Sequence, residues 1–181
     1  GFIASANQYP ADSTYPYYVH AASYEQYRNR RINQVLRATE DATIQTMMAL
    51  QNDNFNLKAA ESLGTFFEAI DSIKMNADEV TAMEELVAWD FYNNMDSKGA
   101  SYYERWWDIL YPMIWDEFRN HDLALPNPTA FTTIKLIKEN PDLEFFDIAS
   151  TTKKENAHDV IESAFRKMAL EMAQLGAEDE L

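Results

Sequence analysis

The sequence predicts an all-α protein of about seven helices, an irregular orthogonal helical domain preceded by an extended N-terminal segment. Three observations carry that expectation. Apolar residues recur at three- and four-residue spacing over most of the chain after residue 23, the repeat of one helix face. There are only four glycines in 181 residues, against an average usage of about 7%, and β-rich folds need glycine at their turns. No stretch after residue 8 alternates apolar and polar residues with the period of a strand.

The elements follow in order. Residues 1–22 carry two prolines, four tyrosines and small polar residues, and read as an extended loop lying on a surface. From Ser23, a fair N-cap with Gln26 three residues on, the pattern turns helical. Tyr27, Arg31, Val35 and Ala38 share a face, with Ile32 and Leu36 beside it. A short helix follows, capped by Asp41 or Thr43, with Ile44, Met47, Met48 and Gln51 on one side. Residues 54–73 read as a longer helix with Leu57, Ala60, Phe67 and Ile70 inward. The next begins at Asn76 or Asp78 and carries the stripe Val80, Met83, Leu86 and Val87. After a turn region, Ser101 opens the most aromatic helix, whose wide apolar face holds Tyr103, Trp106, Trp107, Leu110, Ile114 and Phe118. Pro112 kinks it or breaks it at Tyr111, since proline lacks the N–H a helix interior needs. A loop leads to the short helix Ala130–Glu139, which ends before Pro141. Residues 143–148 form a short helix or an extended stretch. Residues 154–175 form a long amphipathic helix with Val160, Ile161, Ala164, Phe165, Met168, Met172 and Leu175 inward. Gly176 is expected to stop it, as Gly64 and Gly99 are expected to mark bends or stops, and residues 177–181 to fray as an acidic tail. The division is therefore a loop segment over 1–22, one helical domain over 23–176 and a tail.

Composition narrows function by exclusion. Fifteen Lys and Arg against thirty Asp and Glu give a formal charge of −15, which repels phosphate backbones and anionic lipid surfaces and argues against nucleic-acid and membrane partners. The absence of cysteine removes disulfides, thiol nucleophiles and cysteine-based zinc sites. No glycine-rich phosphate loop and no Gly-x-Ser-x-Gly elbow occurs. A start at Gly1 with neither Met nor signal peptide reads as a piece of something larger.

Isolated candidates for chemistry are weak. His20, His121 and His158 are far apart and read as ordinary histidines. Glu84–Glu85, Asp116–Glu117 and the acidic tail read as solvated carboxylates. Trp106, Trp107 and Trp115 stand at helical spacing and read as core before they read as a ligand pocket. The two Glu-x-x-His motifs that a di-iron bundle needs are not both present.

Longer stretches say more. Gly1-Phe2-Ile3-Ala4-Ser5-Ala6-Asn7-Gln8-Tyr9-Pro10, then Tyr15-Pro16, then Tyr27-Arg28-Asn29-Arg30-Arg31-Ile32, resemble in order and spacing segments of the penicillin acylase family of N-terminal nucleophile hydrolases. Thr43, Met47 and Gln51-Asn52-Asp53, then Leu86-Val87-Ala88-Trp89-Asp90, then Tyr103-Glu104-Arg105-Trp106-Trp107, continue the resemblance to about residue 120. The long last helix is similar to the late helical part of the same large chain.

The resemblance implies an amidase that hydrolyses a linear or β-lactam antibiotic amide to a carboxylate and an amine, in the periplasm or outside the cell. In that family the N-terminal Ser of the large chain attacks, with its own α-amine as base. Gly1 has no oxygen to take that part. The chain therefore resembles the helical portion of a larger acylase, inactive alone, with the nucleophile-bearing sheets and the small chain as its partners. Asn7 falls on the family's oxyanion-stabilising Asn, and Arg31 on the family's Arg near the nucleophile. Gln8 departs from the Asn-Asn often seen, and Asp53 reads as a helix-end anchor. No cofactor is implied; the family's structural calcium draws a carboxylate from near this region, but Asp12 is out of register for it. The rival reading is a stand-alone acidic helical binding module that uses an aromatic groove.

Overall fold

The computed structural model describes residues 1–6, 8–11, 14–18, 25–120 and 126–179. Among them lie seven α-helices: α1 (Tyr27–Ala38), α2 (Ile44–Gln51), α3 (Leu57–Glu68), α4 (Ala77–Ala88), α5 (Lys98–Ile114), α6 (Ala130–Glu139) and α7 (Ala157–Asp179). Short 3₁₀ turns lie at Ser72–Lys74, Asp116–Asn120 and Glu144–Phe146. The one strand-like feature described is an isolated antiparallel bridge between Phe55 and Tyr92. The all-α expectation holds, and residues 143–148 resolve into the third 3₁₀ turn.

The core forms around α5. It packs on α7 and α4, α4 packs on α7, and α3 joins α1, α6 and α7. Tyr103, Trp106, Leu110 and Ile114 of α5 are fully buried beside Phe66 of α3, Leu86 of α4 and Ile161, Phe165 and Met168 of α7. The three tryptophans expected as core are core, Trp106 fully and Trp107 and Trp115 nearly so. Three buried polar edges on or at the end of α5 find partners. Trp106 Nε1 donates to the Ile161 carbonyl at 3.2 Å and Trp115 Nε1 to Thr133 Oγ1 at 3.1 Å, while Tyr103 Oη lies 2.9 Å from Ser62 Oγ.

Several expectations about boundaries and faces need correction. The first helix begins at Tyr27, without a side-chain cap at Gln26; Ser23 lies outside the described residues. The third is Leu57–Glu68, shorter at both ends, because Asn56 caps it through the Ala59 N–H and Asp71 caps a separate 3₁₀ turn. Its inner face is Ala59, Ser62, Leu63 and Phe66; Leu57, Ala60 and Phe67 are only half-buried. The face is rotated because Ser62, polar by type, is made apolar in effect by its bonds to the Lys58 carbonyl and Tyr103. A buried carboxylate rotates α4 in the same way. Glu79 closes a capping box with Asn76 and receives Arg166 Nη1 at 2.7 Å, so it sits in the core face while Val80 and Val87 face out. On α7, Met172 packs at the core's edge but Leu175 is exposed.

Glycine and proline also behave otherwise than expected. The aromatic helix begins at Lys98, capped by Ser97. Gly99 lies inside its first turn, where the Trp89 side chain and the Glu85 carbonyl press against it. Gly64 lies within α3, and α7 runs through Gly176 to Asp179. Pro112 does not break α5 at Tyr111; the helix closes at Ile114, and the Trp115 N–H still reaches the Tyr111 carbonyl at 3.3 Å. The N-terminal segment leaves Phe2, Ile3, Tyr9, Tyr15, Tyr17 and Tyr18 exposed.

Glycine substitutions separate close packing from free helix. A Cβ on Gly99 would meet Trp89 Cβ at 2.4 Å and the Glu85 carbonyl oxygen at 2.8 Å, whereas one on Gly64 meets nothing within 4 Å. Gly99→Ala is expected to cost about 1–3 kcal/mol. Gly64→Ala is expected to add about 0.5–1 kcal/mol, through the higher helix propensity of alanine. Urea unfolding of the two variants beside the parent measures both signs.

Candidate functional site

A concavity opens beside the first turn of α3. It is an open groove of about 1220 Å³ between the N-terminal segment, α1, α2 and the α2–α3 link. Its shape begins with local capping. Thr43, rather than Asp41, caps α2: its hydroxyl accepts the Thr46 N–H at 3.1 Å, and Thr46 Oγ1 accepts the Thr43 N–H at 2.8 Å. That fixes the start of a helix with no buried residue, whose Ile44, Met47 and Met48 stand on the groove at 76%, 36% and 58% exposure.

Arg31 is held by three side chains from two loops. Asp53, on the α2–α3 link, takes Nη2 at 2.7 Å and Nε at 3.1 Å in a two-pronged pair. The Phe55 ring lies under the guanidinium, 4.2 Å from ring centre to Cζ. Tyr92 Oη lies 3.3 Å from Nη2. The turn that carries Tyr92 is itself forced: Phe91 has φ 67°, a left-handed conformation unusual for a bulky residue. Its carbonyl accepts the Asn56 N–H at 2.7 Å, and the Tyr92 carbonyl accepts Trp89 Nε1 at 2.9 Å. The two loops are thereby locked together where they meet Arg31.

This arrangement sets the electrostatics. The Arg31 hydrogen bonds hold the Asp53 carboxyl below the usual carboxylate range, against partial burial and helped by the Phe55 N–H. The same bond raises the guanidinium further. The pair is ionised at any ordinary pH and nearly neutral as a unit. Lys58 repeats the pattern, pairing with Glu104 at 3.1 Å while it lies over the Trp107 and Tyr103 rings. Tyr27 also lines the groove, with its hydroxyl buried and unpartnered. Burial, with Glu25 and Glu61 close by, pushes that hydroxyl up, so it remains a neutral phenol.

Of the two residues singled out by sequence, Arg31 lines the groove and Asn7 lies outside the described residues. Its neighbours are described. Ser5 and Ala6 line the same groove, and Gln8 Oε1 accepts the Ala6 N–H at 2.7 Å and Asn29 Nδ2 of α1 at 3.1 Å. The N-terminal segment is thus pinned to the helix that carries Arg31. The Gln8 pin was not anticipated from sequence. Nor was Arg28, which lines the groove one turn before Arg31; its i, i+3 spacing on the same stretch was the available signal. Asp53, read from sequence as a helix-end anchor, instead orders the link ahead of α3: its Oδ1 accepts the Phe55 N–H at 3.0 Å, while Asn56 caps the helix. It also holds Arg31.

The remaining candidates stand elsewhere. His158 is exposed at the start of α7, and His20 and His121 lie outside the described residues. Asp116 and Glu117 are half-buried away from the groove, with one oxygen each unpartnered. Burial, reinforced by Asp116, raises Glu117. Asp12 lies outside the described residues, and among those described no group of three or more His, Asp or Glu could hold a metal ion. No described helix is long and apolar enough to cross a membrane.

Compared with known families, the chain matches that of penicillin amidase over residues 1–180, past the stretch whose motifs carried the resemblance. No curated protein and no solved structure matches it.

The Asp53–Arg31 pair predicts a pH signature. A carboxyl held below its ordinary value of 3.8 contributes stability that is complete above that value and is lost as pH falls through the lower folded-state value. Asp53→Asn should therefore cost about 1–3 kcal/mol at pH 7, and progressively less as the medium is acidified below about pH 4. Urea titrations of parent and variant at pH 7 and at pH 3 measure the difference; an equal cost at both would show that the pair does not supply it.

Proposed function

The chain belongs to the penicillin amidase family, and from that premise we propose that it is the helical part of an amidase which hydrolyses a linear or β-lactam amide to a carboxylate and an amine. The observation that carries the reading is the shared groove: Ser5 and Ala6, immediately ahead of Asn7, line one concavity with Arg31 and its partner Asp53.

In this reading the Asn7 side-chain amide donates to the oxygen that becomes negative as the amide carbonyl is attacked. A fixed neutral donor at that position lowers the barrier without needing to reorganise. Arg31 is a positioning residue. With its charge matched by Asp53 it adds little net potential, so its contribution is to keep the groove wall and the adjoining segment in place. The attacking hydroxyl and its α-amine base come from a separate polypeptide segment, because the family mounts its nucleophile on sheets and the described residues hold no sheet. The partners are that nucleophile-bearing portion, the small chain and a small-molecule amide. Location in the periplasm or outside the cell is supported by family resemblance alone. A structural calcium, where the parent binds one, takes no part in these steps.

The rival reading, a stand-alone binding module with an aromatic groove, would rely on Tyr27 and Phe55, because Trp106, Trp107 and Trp115 belong to the core and do not line the groove.

Two measurements test the reading. The 181-residue chain alone should release no carboxylate from acyl amides above the buffer rate, and turnover by it would overturn the assignment of the nucleophile elsewhere. In the assembled enzyme, Asn7→Ala should lower kcat by roughly 10²–10³ with little change in KM. Arg31→Leu should slow turnover with less effect on self-cleavage. Near-normal kcat in both variants would remove them from the site.

A further inference from the structure

Most of the N-terminal segment is exposed, yet one residue in it is buried. Ala6 keeps 7% of its surface open, while Phe2, Ile3 and Tyr9 near it stand in solvent. Burying Ala6 takes its backbone N–H out of water, and a buried N–H needs an acceptor. Gln8 supplies it. Its Oε1 accepts the Ala6 N–H at 2.7 Å, and Nε2 of the same side chain donates to the Ala4 carbonyl at 3.4 Å. Both ends of one carboxamide thus bind the backbone ahead of residue 7. The bond to Ala6 closes a ring of main chain and side chain in which residue 7 is a covalent member.

The ring is also anchored. Gln8 Oε1 takes a second donor, Asn29 Nδ2 of α1, at 3.1 Å. A carboxamide oxygen has two lone pairs, and here both are used. Asn29 stands two residues before Arg31 on a helix that is itself tied down by the Arg31–Asp53 and Arg30–Glu61 pairs. Asn7 lies outside the described residues, but its neighbours on both sides are described, and one side chain fixes both. A hydrogen-bond donor acts on an oxyanion only when it is held within reach, and a displacement of about 1 Å costs roughly 10²-fold in rate. We propose that Gln8 is a positioning residue for Asn7: its carboxamide clamps the backbone around residue 7 to α1 through Asn29, and so aims the Asn7 amide. This rests on the amidase reading above and adds to it the device that holds the donor in place.

Kinetics of the assembled enzyme separate positioning from plain stabilisation. Gln8→Met keeps the length of the side chain and removes its acceptor. It should lower kcat roughly ten- to hundred-fold with KM nearly unchanged. In an Asn7→Ala background the same substitution should change kcat by less than about two-fold, because no donor is left to aim. Asn29→Leu removes the other end of the clamp and should follow the same pattern. Gln8→Met combined with Asn29→Leu should cost no more than the larger of the two alone. In the 181-residue chain, hydrogen exchange at the Ala6 amide should quicken roughly ten-fold in Gln8→Met while the buried Trp106 amide stays as slow as in the parent, which shows that the fold is kept. A Gln8→Met loss of equal size with and without Asn7, normal kcat in both Gln8→Met and Asn29→Leu, or unchanged exchange at Ala6 would each overturn the proposal. Normal kcat in Asn7→Ala would remove the amidase reading and this inference together. A loss in Asn7→Ala with none in Gln8→Met would remove this inference alone.

Discussion

Everything in this fold depends on burying α5, a helix that is large, aromatic and not wholly apolar. Eight of its seventeen residues are buried, two tryptophans and a tyrosine among them. Such rings contribute much apolar area, but each carries a polar edge that cannot be left unpaired inside. The partners of those edges dictate the neighbours. Trp106 requires a carbonyl of α7 and Tyr103 requires the Ser62 hydroxyl of α3, while the Trp115 that closes the helix requires Thr133 of α6. Three helices are placed by three hydrogen bonds. Gly99 then allows Trp89, at the end of α4, to close over the first turn.

The outer layer is held by different physics. Neither α1 nor α2 has a buried residue, and the core's hold on them is slight, through the half-buried Tyr27 of α1. Instead α1 is tied by charge: Arg30 to Glu61 of α3, and Arg31 to Asp53. Just before α1, the Glu25 carboxylate accepts the Ala130 and Phe131 N–H groups at the start of α6, where the helix dipole favours an anion. A groove bounded by elements of this kind has walls fixed by polar contacts and an apolar lining free to take a ligand.

Part of this was legible in the sequence. Helical periodicity and the scarcity of glycine gave the fold class, and the tryptophan spacing gave the core. Faces were misjudged where a polar residue is inside, as with Ser62 and Glu79. Periodicity counts polar residues as outward and does not know that Tyr103 or Arg166 will satisfy them. Gly176 misled because a glycine late in a helical pattern looks the same whether the backbone turns there or continues. At the site, Arg31 was found through a motif, whereas its cage was out of reach of the sequence. Asp53, Phe55 and Tyr92 are brought to it by the 53–56 and 89–93 loops, joined through Phe91 in a conformation no local pattern announces. The pin between Gln8 and Asn29 spans 21 residues and is equally non-local.

The cage bears on how an acyl-transfer site in this groove would work. A lone guanidinium beside a developing oxyanion would also hold the carboxylate product, because both are anions in nearly the same place. Matching Arg31 with Asp53 removes most of that difficulty. The paired cation keeps its geometry but exerts little net field, so the distinction between transition state and product passes to a short-range donor such as the Asn7 amide. Such a donor acts only on an atom placed within hydrogen-bond reach. The chain's charge of −15 then acts on the product alone, because the amide that enters is neutral and the carboxylate that leaves is not. On the proposed reaction, the acidity of the chain and the ion pair that neutralises Arg31 serve the same end: the groove accepts a neutral acyl amide and repels the acid made from it.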